Sequence, residues 1–143
     1  MLVLTLQSPV VVAIYENNQF LKKITSDNKA SDFLIEIMDK ILKEYDVKEL
    51  IYLNGPGSFM GIKVAYIILK TISLVKEIPF FAVSGFDLNG NKPIKANKNL
   101  SFVKENDKIL LKKVEACDFK IPLNLLELNK ISDTTPNYVI EAV

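Results

Sequence analysis

The sequence predicts an α/β domain built on a mixed five-stranded sheet, with the element order βββαβαβ and a small C-terminal hairpin and tail. Two observations carry this prediction. Three short apolar segments joined by turn residues come first, as in an antiparallel meander, and two segments with helical periodicity then alternate with apolar strands, as in parallel crossovers. A chain of 143 residues has the length of one domain, or of one domain with a small addition.

The meander is predicted from the first 25 residues. Residues 2–6, 10–15 and 20–25 are rich in apolar and β-branched side chains, and the turn-forming segments QSP and ENNQ separate them. Because the connections are so short, neighbouring strands must run antiparallel. The three segments therefore predict three antiparallel strands.

Two helices, each followed or preceded by an apolar strand, are predicted next. Residues 33–45 place apolar side chains at i, i+4 and i+7, with charged residues over much of the other face, and residues 47–54 form an apolar strand after them. A glycine-rich turn precedes a second helix over residues 58–76, which ends before Pro79. The segment PFFAVS, residues 79–84, predicts the fifth strand.

The remaining residues predict a reduced second unit rather than a full domain. A polar, turn-rich segment begins this unit and divides the chain into residues 1–87, the α/β domain, and residues 88–143. Within the second unit the pattern predicts a hairpin with its turn at residues 105–108, a short helix near residues 122–128 and an extended tail.

Composition excludes several classes of function. Hydrophobic residues make up 49% of the chain and the net charge is +1, which argues against disorder and gives no overall attraction to nucleic acid or anionic lipid. The chain has no histidine and no arginine, which removes histidine-based catalysis, histidine metal sites and bidentate arginine recognition. Cys117 is the only cysteine, and we interpret it as a thiol without a reactive role. With no signal peptide and no long apolar run, we expect a cytoplasmic protein that does not enter a membrane.

The segment NGPGSFMGIK, residues 54–63, forms the glycine-rich turn and opens the second helix. Its glycines Gly55, Gly57 and Gly61 miss the dinucleotide-binding pattern by one position, and the residues after Gly61 do not fit a P-loop. Ser58 is placed to cap the helix, and free N–H groups at such a helix start can bind an anion. Gly55, Gly57 and Ser58 are therefore a candidate anion or cofactor site, which we regard as secondary.

The second helix is apolar over well over half of its circumference, which exceeds the arc needed to face one core. Small residues four apart also allow another helix to approach closely. We therefore expect a second contact on this helix, with a partner interface formed by Gly57, Met60, Gly61, Val64, Ala65 and Ile68. Ordinary packing against the first helix is the alternative.

The glycine-rich turn also resembles a family signature. GPGSFMGIK, residues 55–63, is similar to the GPGSFTGLR signature of the bacterial TsaB (YeaZ) family, with Met60, Ile62 and Lys63 in place of threonine, leucine and arginine. The βββαβ entry before the turn, the segment EIPFFAVSGFD after it and TPNYV near the C-terminus resemble the family as well. The resemblance covers residues 1–87 well and the remainder weakly.

The resemblance implies an actin/Hsp70-like, or ribonuclease H-like, fold and a part in making threonylcarbamoyladenosine in tRNA. It implies a non-catalytic scaffold subunit that forms a heterodimer with TsaD, the metal-bearing subunit that transfers the threonylcarbamoyl group. The ATPase TsaE completes that assembly, and the helices around the signature form the dimer interface. We accordingly expect no catalytic or metal-binding residue and no tightly bound cofactor in this chain, with ATP or ADP and a metal on TsaD.

The sequence departs from the family at the end of the first strand. Leu6 and Gln7 stand where the family has aspartate and threonine, and in kinase relatives of this fold that aspartate serves the metal and the phosphates. This departure and the reduced second unit favour a scaffold over an enzyme. Two alternatives remain open: an ATP-binding phosphotransferase or ATPase that uses the turn at Gly55 and Ser58, and a homodimeric packing module unrelated to TsaD.

Residues 92–113 form a basic segment, with seven lysines against Glu105 and Asp107, a local charge of +5. Lysines at this density can neutralise RNA phosphates. Lys92, Lys95 and Lys98 are therefore candidates for an indirect or weak contact with tRNA. A solvated hairpin surface is the alternative, and it is the one that we favour from the sequence alone.

Overall fold

The computed structural model describes residues 1–138, and its main sheet has five strands in the order β3-β2-β1-β4-β5. The strands are β1 (Leu2–Leu4), β2 (Val10–Glu16), β3 (Gln19–Ser26), β4 (Leu50–Leu53) and β5 (Phe80–Val83). The first three pair antiparallel, while β4 pairs parallel with both β1 and β5. The predicted mixed five-stranded sheet is therefore confirmed.

The helices are α1 (Ala30–Glu44), α2 (Phe59–Lys76) and the short α3 (Gly85–Leu88). α1 has the predicted amphipathic character, and it buries Leu34, Met38 and Ile41. α2 begins after Ser58, whose side chain caps the helix, and ends at Glu77, which adopts a left-handed conformation. α1 and α2 contact each other. Among residues 1–138, none of the helices is both long enough and apolar enough to cross a membrane.

The core is centred on β1 and β4, in which every residue is buried. A continuous apolar run is typical of a strand that pairs on both sides and is covered on both faces. Tyr52 in β4 is fully buried, and its ring packs against Tyr66 of α2 and Phe80 of β5. Its hydroxyl donates a hydrogen bond to the carbonyl oxygen of Thr134, so one side chain joins the central strand to the C-terminal segment.

A second sheet has three antiparallel strands, β6 (Ile94–Lys95), β7 (Ser101–Glu105) and β8 (Lys108–Lys112), in that order. Asn106 and Asp107 connect β7 to β8, and both have positive φ, as a two-residue hairpin turn requires. The predicted hairpin and its turn are therefore confirmed. Phe86 of α3 packs with Ile94 and Phe102 in a small cluster of its own beneath this sheet.

The C-terminal segment returns to the main sheet instead of staying with the hairpin. Leu125 is buried in the main core, and Ile131 forms an antiparallel bridge with Ala82 of β5. The boundary predicted at residue 88 therefore does not separate this segment from the α/β domain. The short helix expected near residues 122–128 is a single 3-10 turn, Leu125–Glu127. The extended tail is present as far as Tyr138, and its last residues, 139–143, lie outside the described part of the chain.

Tyr15 connects β2 to the C-terminal segment through a side-chain hydrogen bond. Its hydroxyl donates a 2.6 Å hydrogen bond to the carbonyl oxygen of Pro122. Burial and the nearby carboxylate of Glu127 raise the pKa of Tyr15 from 10.0 to about 12. The folded state therefore holds this proton more tightly than the unfolded state does. The resulting stabilisation is present below the unfolded pKa and is lost as the pH rises through the folded pKa.

Tyr15→Phe is expected to lower the free energy of unfolding by about 1 kcal/mol at neutral pH, because the Pro122 carbonyl loses its donor. The difference between wild type and variant should shrink as the pH rises from about 10 to about 12, where tyrosinate forms. Urea denaturation of both proteins over this range measures the difference, and the subtraction removes contributions from Tyr52 and the other tyrosines. A difference that stays constant across the range would show that folding does not raise the pKa of Tyr15.

Candidate functional site

The glycine-rich turn lies between β4 and α2 and is closed over by two other parts of the chain. Gly55 has φ +133°, a conformation that side chains rarely adopt, and its carbonyl oxygen accepts a 2.9 Å hydrogen bond from the Gly85 amide. A Cβ atom added at Gly55 would lie 2.3 Å from the carbonyl oxygen of Asn137. The Asn137 amide in turn donates a 2.8 Å hydrogen bond to Asn54. The C-terminal segment thus covers the turn directly.

Ser58 is the N-cap of α2, as the sequence predicts. Its hydroxyl accepts a 3.1 Å hydrogen bond from the Gly61 amide, and its own amide donates a 2.8 Å hydrogen bond to the carbonyl oxygen of Leu6. These internal bonds leave Ser58 without a free backbone donor for an anion. The side chain position at Gly57 faces Leu6, and that at Gly55 faces Asn137. The candidate anion site at Gly55, Gly57 and Ser58 is therefore brought together in space, but its nearest neighbours are groups of the same chain.

Two members of the small-residue strip Gly57, Gly61 and Ala65 face the end of β1, namely Gly57 and Gly61. A Cβ atom at Gly57 would lie 2.6 Å from the Leu6 Cβ atom, and one at Gly61 would lie 2.0 Å from the Thr5 carbonyl oxygen. The buried Thr5 hydroxyl also donates a 2.8 Å hydrogen bond to the Gly61 carbonyl oxygen. Gly61 and Ala65 are buried. The close approach that Gly61 allows is made by the protein's own first strand, so a partner contact at Gly61 and Ala65 stays a prediction, and in the isolated chain both residues are covered.

The surface of α2 that remains free is apolar and lies on a different side of the helix. Met60, Ile67 and Leu74 are 61%, 51% and 69% exposed. They are seven residues apart, and at about 100° per residue this spacing keeps them in one row along the helix. We call Met60, Ile67 and Leu74 the exposed ridge. Its length is about four turns of helix, or roughly 21 Å.

The edges of the exposed ridge differ in character. Lys63 and Lys70 are exposed on one side of it, whereas Val64 and Ile68, both predicted interface residues, are half-buried on the side toward the core. At the start of α2 the ring of Phe59 packs against that of Tyr138, with 4.4 Å between ring centroids. Of the predicted interface residues, Met60 is thus freely accessible, and Val64 and Ile68 are partly so.

Two parts of this arrangement are not predicted from the sequence. Nothing in the sequence indicates that Thr5 approaches Gly61. The exposure of Ile67 and Leu74 together with Met60 is not predicted either, although their seven-residue spacing is a usable signal. The small residues of α2 therefore explain the close approach to β1, and its row of large apolar residues in solvent explains why the apolar arc is wider than one core contact requires.

The end of β1 is an apolar packing element in this protein. Leu6 is 2% exposed and contacts the positions of Gly57 and Gly85. Gln7 and Ser8 line a cleft of about 420 Å³ together with Lys95 and Cys117. Within residues 1–138, no cluster of three or more histidine, cysteine, aspartate or glutamate side chains is arranged to hold a metal ion.

Lys92, Lys95 and Lys98 lie on and beside the small sheet. Lys95 belongs to β6, Lys92 precedes that strand, and Lys98 lies in the loop before β7. All three are exposed. Lys95 also lines the cleft of about 420 Å³, to which Ser58 at the start of α2 contributes as well.

Comparison with known proteins finds similarity of structure at low sequence identity. No family model matches the chain, and no curated protein matches it. Among solved structures, YeaZ from Pseudomonas aeruginosa superposes with a TM-score of 0.59 at 18% sequence identity, over 80% of this chain and 64% of that one. A structure described as an uncharacterized protein with similarity to peptidase YEAZ, from the same organism, gives 0.57 at 16% identity, over 78% and 62%. The chain thus spans less than two thirds of the length of either structure, and within that span it has the fold of YeaZ.

Proposed function

We propose that this protein is a non-catalytic subunit that binds TsaD and supports transfer of the threonylcarbamoyl group to adenosine in tRNA. The observation that carries the proposal is the exposed ridge on α2. In a chain with the fold of YeaZ, the helix that follows the YeaZ-like signature leaves three large apolar side chains in solvent at helical spacing. A row of this kind is typical of a surface that is covered in an assembly.

The ridge indicates what the partner's surface looks like. Apolar side chains seven residues apart fit a groove or a second helix that packs nearly parallel to α2. Lys63 and Lys70 border the ridge on one side, so carboxylates on the matching edge of the partner would complement them. We infer that the interface on TsaD is apolar at its centre and acidic along one edge.

The remaining parts of the proposal follow from the resemblance to the TsaB (YeaZ) family. The fold would be a reduced member of the actin/Hsp70-like group, and TsaE would complete the assembly. ATP or ADP and a metal would bind to TsaD and not to this chain, since Leu6 fills the position of the aspartate that holds metal in kinase relatives. The packing of Leu6 against the glycine-rich turn supports this assignment over an ATP-binding phosphotransferase.

Size-exclusion chromatography of the purified chain with TsaD from the same organism tests the proposal. We expect the two proteins to elute together, with ATP, ADP or no nucleotide present. Modification of tRNA by the reconstituted system should also require this chain. Separate elution under every nucleotide condition, with full modification in the absence of the chain, would contradict the proposal. Light scattering on the chain alone separates this outcome from a homodimeric packing module, which would show twice the mass of one chain.

A further inference from the structure

The small sheet carries a cluster of lysines that the proposed function does not use. Lys92, Lys95, Lys98, Lys104, Lys108 and Lys113 are all exposed. Within residues 1–138, none of these six forms a salt bridge, whereas the neighbouring Lys112 pairs with Glu105. We call these six residues the lysine patch.

The lysine patch differs from the rest of the surface in its charge. Residues 1–87 contain nine lysines and ten acidic residues. There the lysines of α1 are paired within the helix, Lys40 with Glu36 and Lys43 with Asp39. Residues 88–120 contain eight lysines and four acidic residues. The chain's net charge of +1 is therefore unevenly distributed, with −1 in residues 1–87, +4 in residues 88–120 and −2 in residues 121–143.

Strand register places two members of the patch on the outer face of the sheet and one on the other face. Ile94, Phe102 and Leu111 are paired across the three strands and face the small apolar cluster beneath the sheet. Because side chains alternate along a strand, the next row, which contains Lys95, points the opposite way. Lys108 in β8 lies on the same outer face as Lys95, whereas Lys104 pairs with Ile109 and lies on the face of Phe102.

The chemistry of the patch fits phosphate groups and not bases. Lysine presents a strongly hydrated point charge, without the planar fork by which arginine reads base edges or grips phosphate in two bonds. Base recognition in single-stranded RNA also needs exposed aromatic side chains, and Phe102 on this sheet is only 7% exposed. A surface of unpaired lysines therefore suits contacts that position a polyanion without reading its sequence.

We propose that the lysine patch binds the phosphate backbone of RNA, independent of base sequence. The choice of RNA over an acidic protein rests on the proposed function, in which the substrate is a tRNA. The patch would hold the tRNA near the assembly while TsaD acts on the adenosine. If each of the six lysines neutralises one phosphate in a single-stranded region of the RNA, the slope of log affinity against log salt should be about −4.

Fluorescence anisotropy with a labelled, unmodified tRNA transcript and the full chain tests this inference. Between about 50 and 200 mM salt we expect affinity to fall a few hundredfold, as the slope requires. The triple variant Lys95→Gln, Lys98→Gln, Lys108→Gln should lose at least about tenfold in affinity at low salt and bring the slope to about −2. The matched control is Lys40→Gln, Lys43→Gln, Lys48→Gln, which removes the same charge from three exposed lysines that pair with carboxylates. The control should bind like wild type.

Three results would overturn the inference. The first is that wild type shows no tRNA binding at low salt, and the second is that the two triple variants lose equal amounts of tRNA affinity. The third is that polyglutamate displaces the labelled tRNA as well as unlabelled RNA of equal charge does. The last result would identify an acidic protein as the ligand. Co-elution of the patch variant with TsaD is measured in parallel and should be unchanged. RNA binding without TsaD binding would support the lysine patch as an RNA-binding surface and refute the proposed function. TsaD binding without RNA binding would support the proposed function and refute the role of the lysine patch.

Discussion

Replacing Gly61 with alanine is expected to destabilise the protein by about 3 kcal/mol, although the position lies inside a helix. Glycine to alanine in a helix ordinarily stabilises by roughly 0.5–1 kcal/mol, because alanine loses less backbone entropy on folding. Here the added Cβ atom would lie 2.0 Å from the Thr5 carbonyl oxygen. Backbone must move to admit it, and the hydrogen bond from the Thr5 hydroxyl to Gly61 is strained or lost.

The sign of the change in the free energy of unfolding distinguishes a crowded Gly61 from an ordinary helical glycine. Urea denaturation followed by circular dichroism gives the free energies of unfolding of wild type and Gly61→Ala. Lys63→Ala, at an exposed position two residues further along the same helix, is the control and should change stability by less than about 0.5 kcal/mol. A Gly61→Ala protein that is as stable as wild type, or more so, would show that α2 does not lie against β1 as described.

Ile67→Asp is expected to weaken binding to TsaD by at least about 100-fold, which corresponds to roughly 3 kcal/mol. Ile67 is the central member of the exposed ridge and is 51% exposed in the isolated chain. An aspartate there would bring an unpaired carboxylate into an apolar contact. The same charge lies in solvent when the chain is alone, so its folding should be little affected.

Leu126→Asp is the matched control, because Leu126 is 74% exposed and belongs to the 3-10 turn of the C-terminal segment. Isothermal titration of TsaD into each variant measures the affinities, and thermal unfolding of each variant confirms that the fold is kept. Equal binding by wild type and Ile67→Asp would remove the exposed ridge from the interface. A similar loss in Leu126→Asp would show that the effect comes from charge and not from position.

Local signals were sufficient for most of the fold. The predicted second helix, residues 58–76, differs from α2 by one residue at its start, because Ser58 has both the side chain and the place of an N-cap. The hairpin turn was located because Asn106 and Asp107 are residues that tolerate positive φ. The alternation of apolar runs with helical periodicity was enough to predict the mixed sheet. Each of these features depends on residues close together in the sequence.

Contacts between distant residues were not predictable in the same way. Thr5 and Gly61 are 56 positions apart, and Tyr52 and Thr134 are 82 apart. The local sequence around one of these residues does not identify the distant residue that it contacts. The sequence therefore indicated that α2 has a close approach on one side and apolar surface to spare, but it did not say which side faced which neighbour. The structure places Gly57 and Gly61 against the end of β1 and leaves the exposed ridge in solvent.

Site-specific photo-crosslinking tests the central claim most directly, since it records contact rather than its loss. Benzoylphenylalanine placed at position 67 and irradiated with TsaD should give a covalent adduct with the summed mass of the two chains. The same residue at position 126 should give none. An adduct at position 67 alone would establish that the exposed ridge is the surface that meets TsaD. No adduct at position 67, or equal adducts at both positions, would contradict that claim.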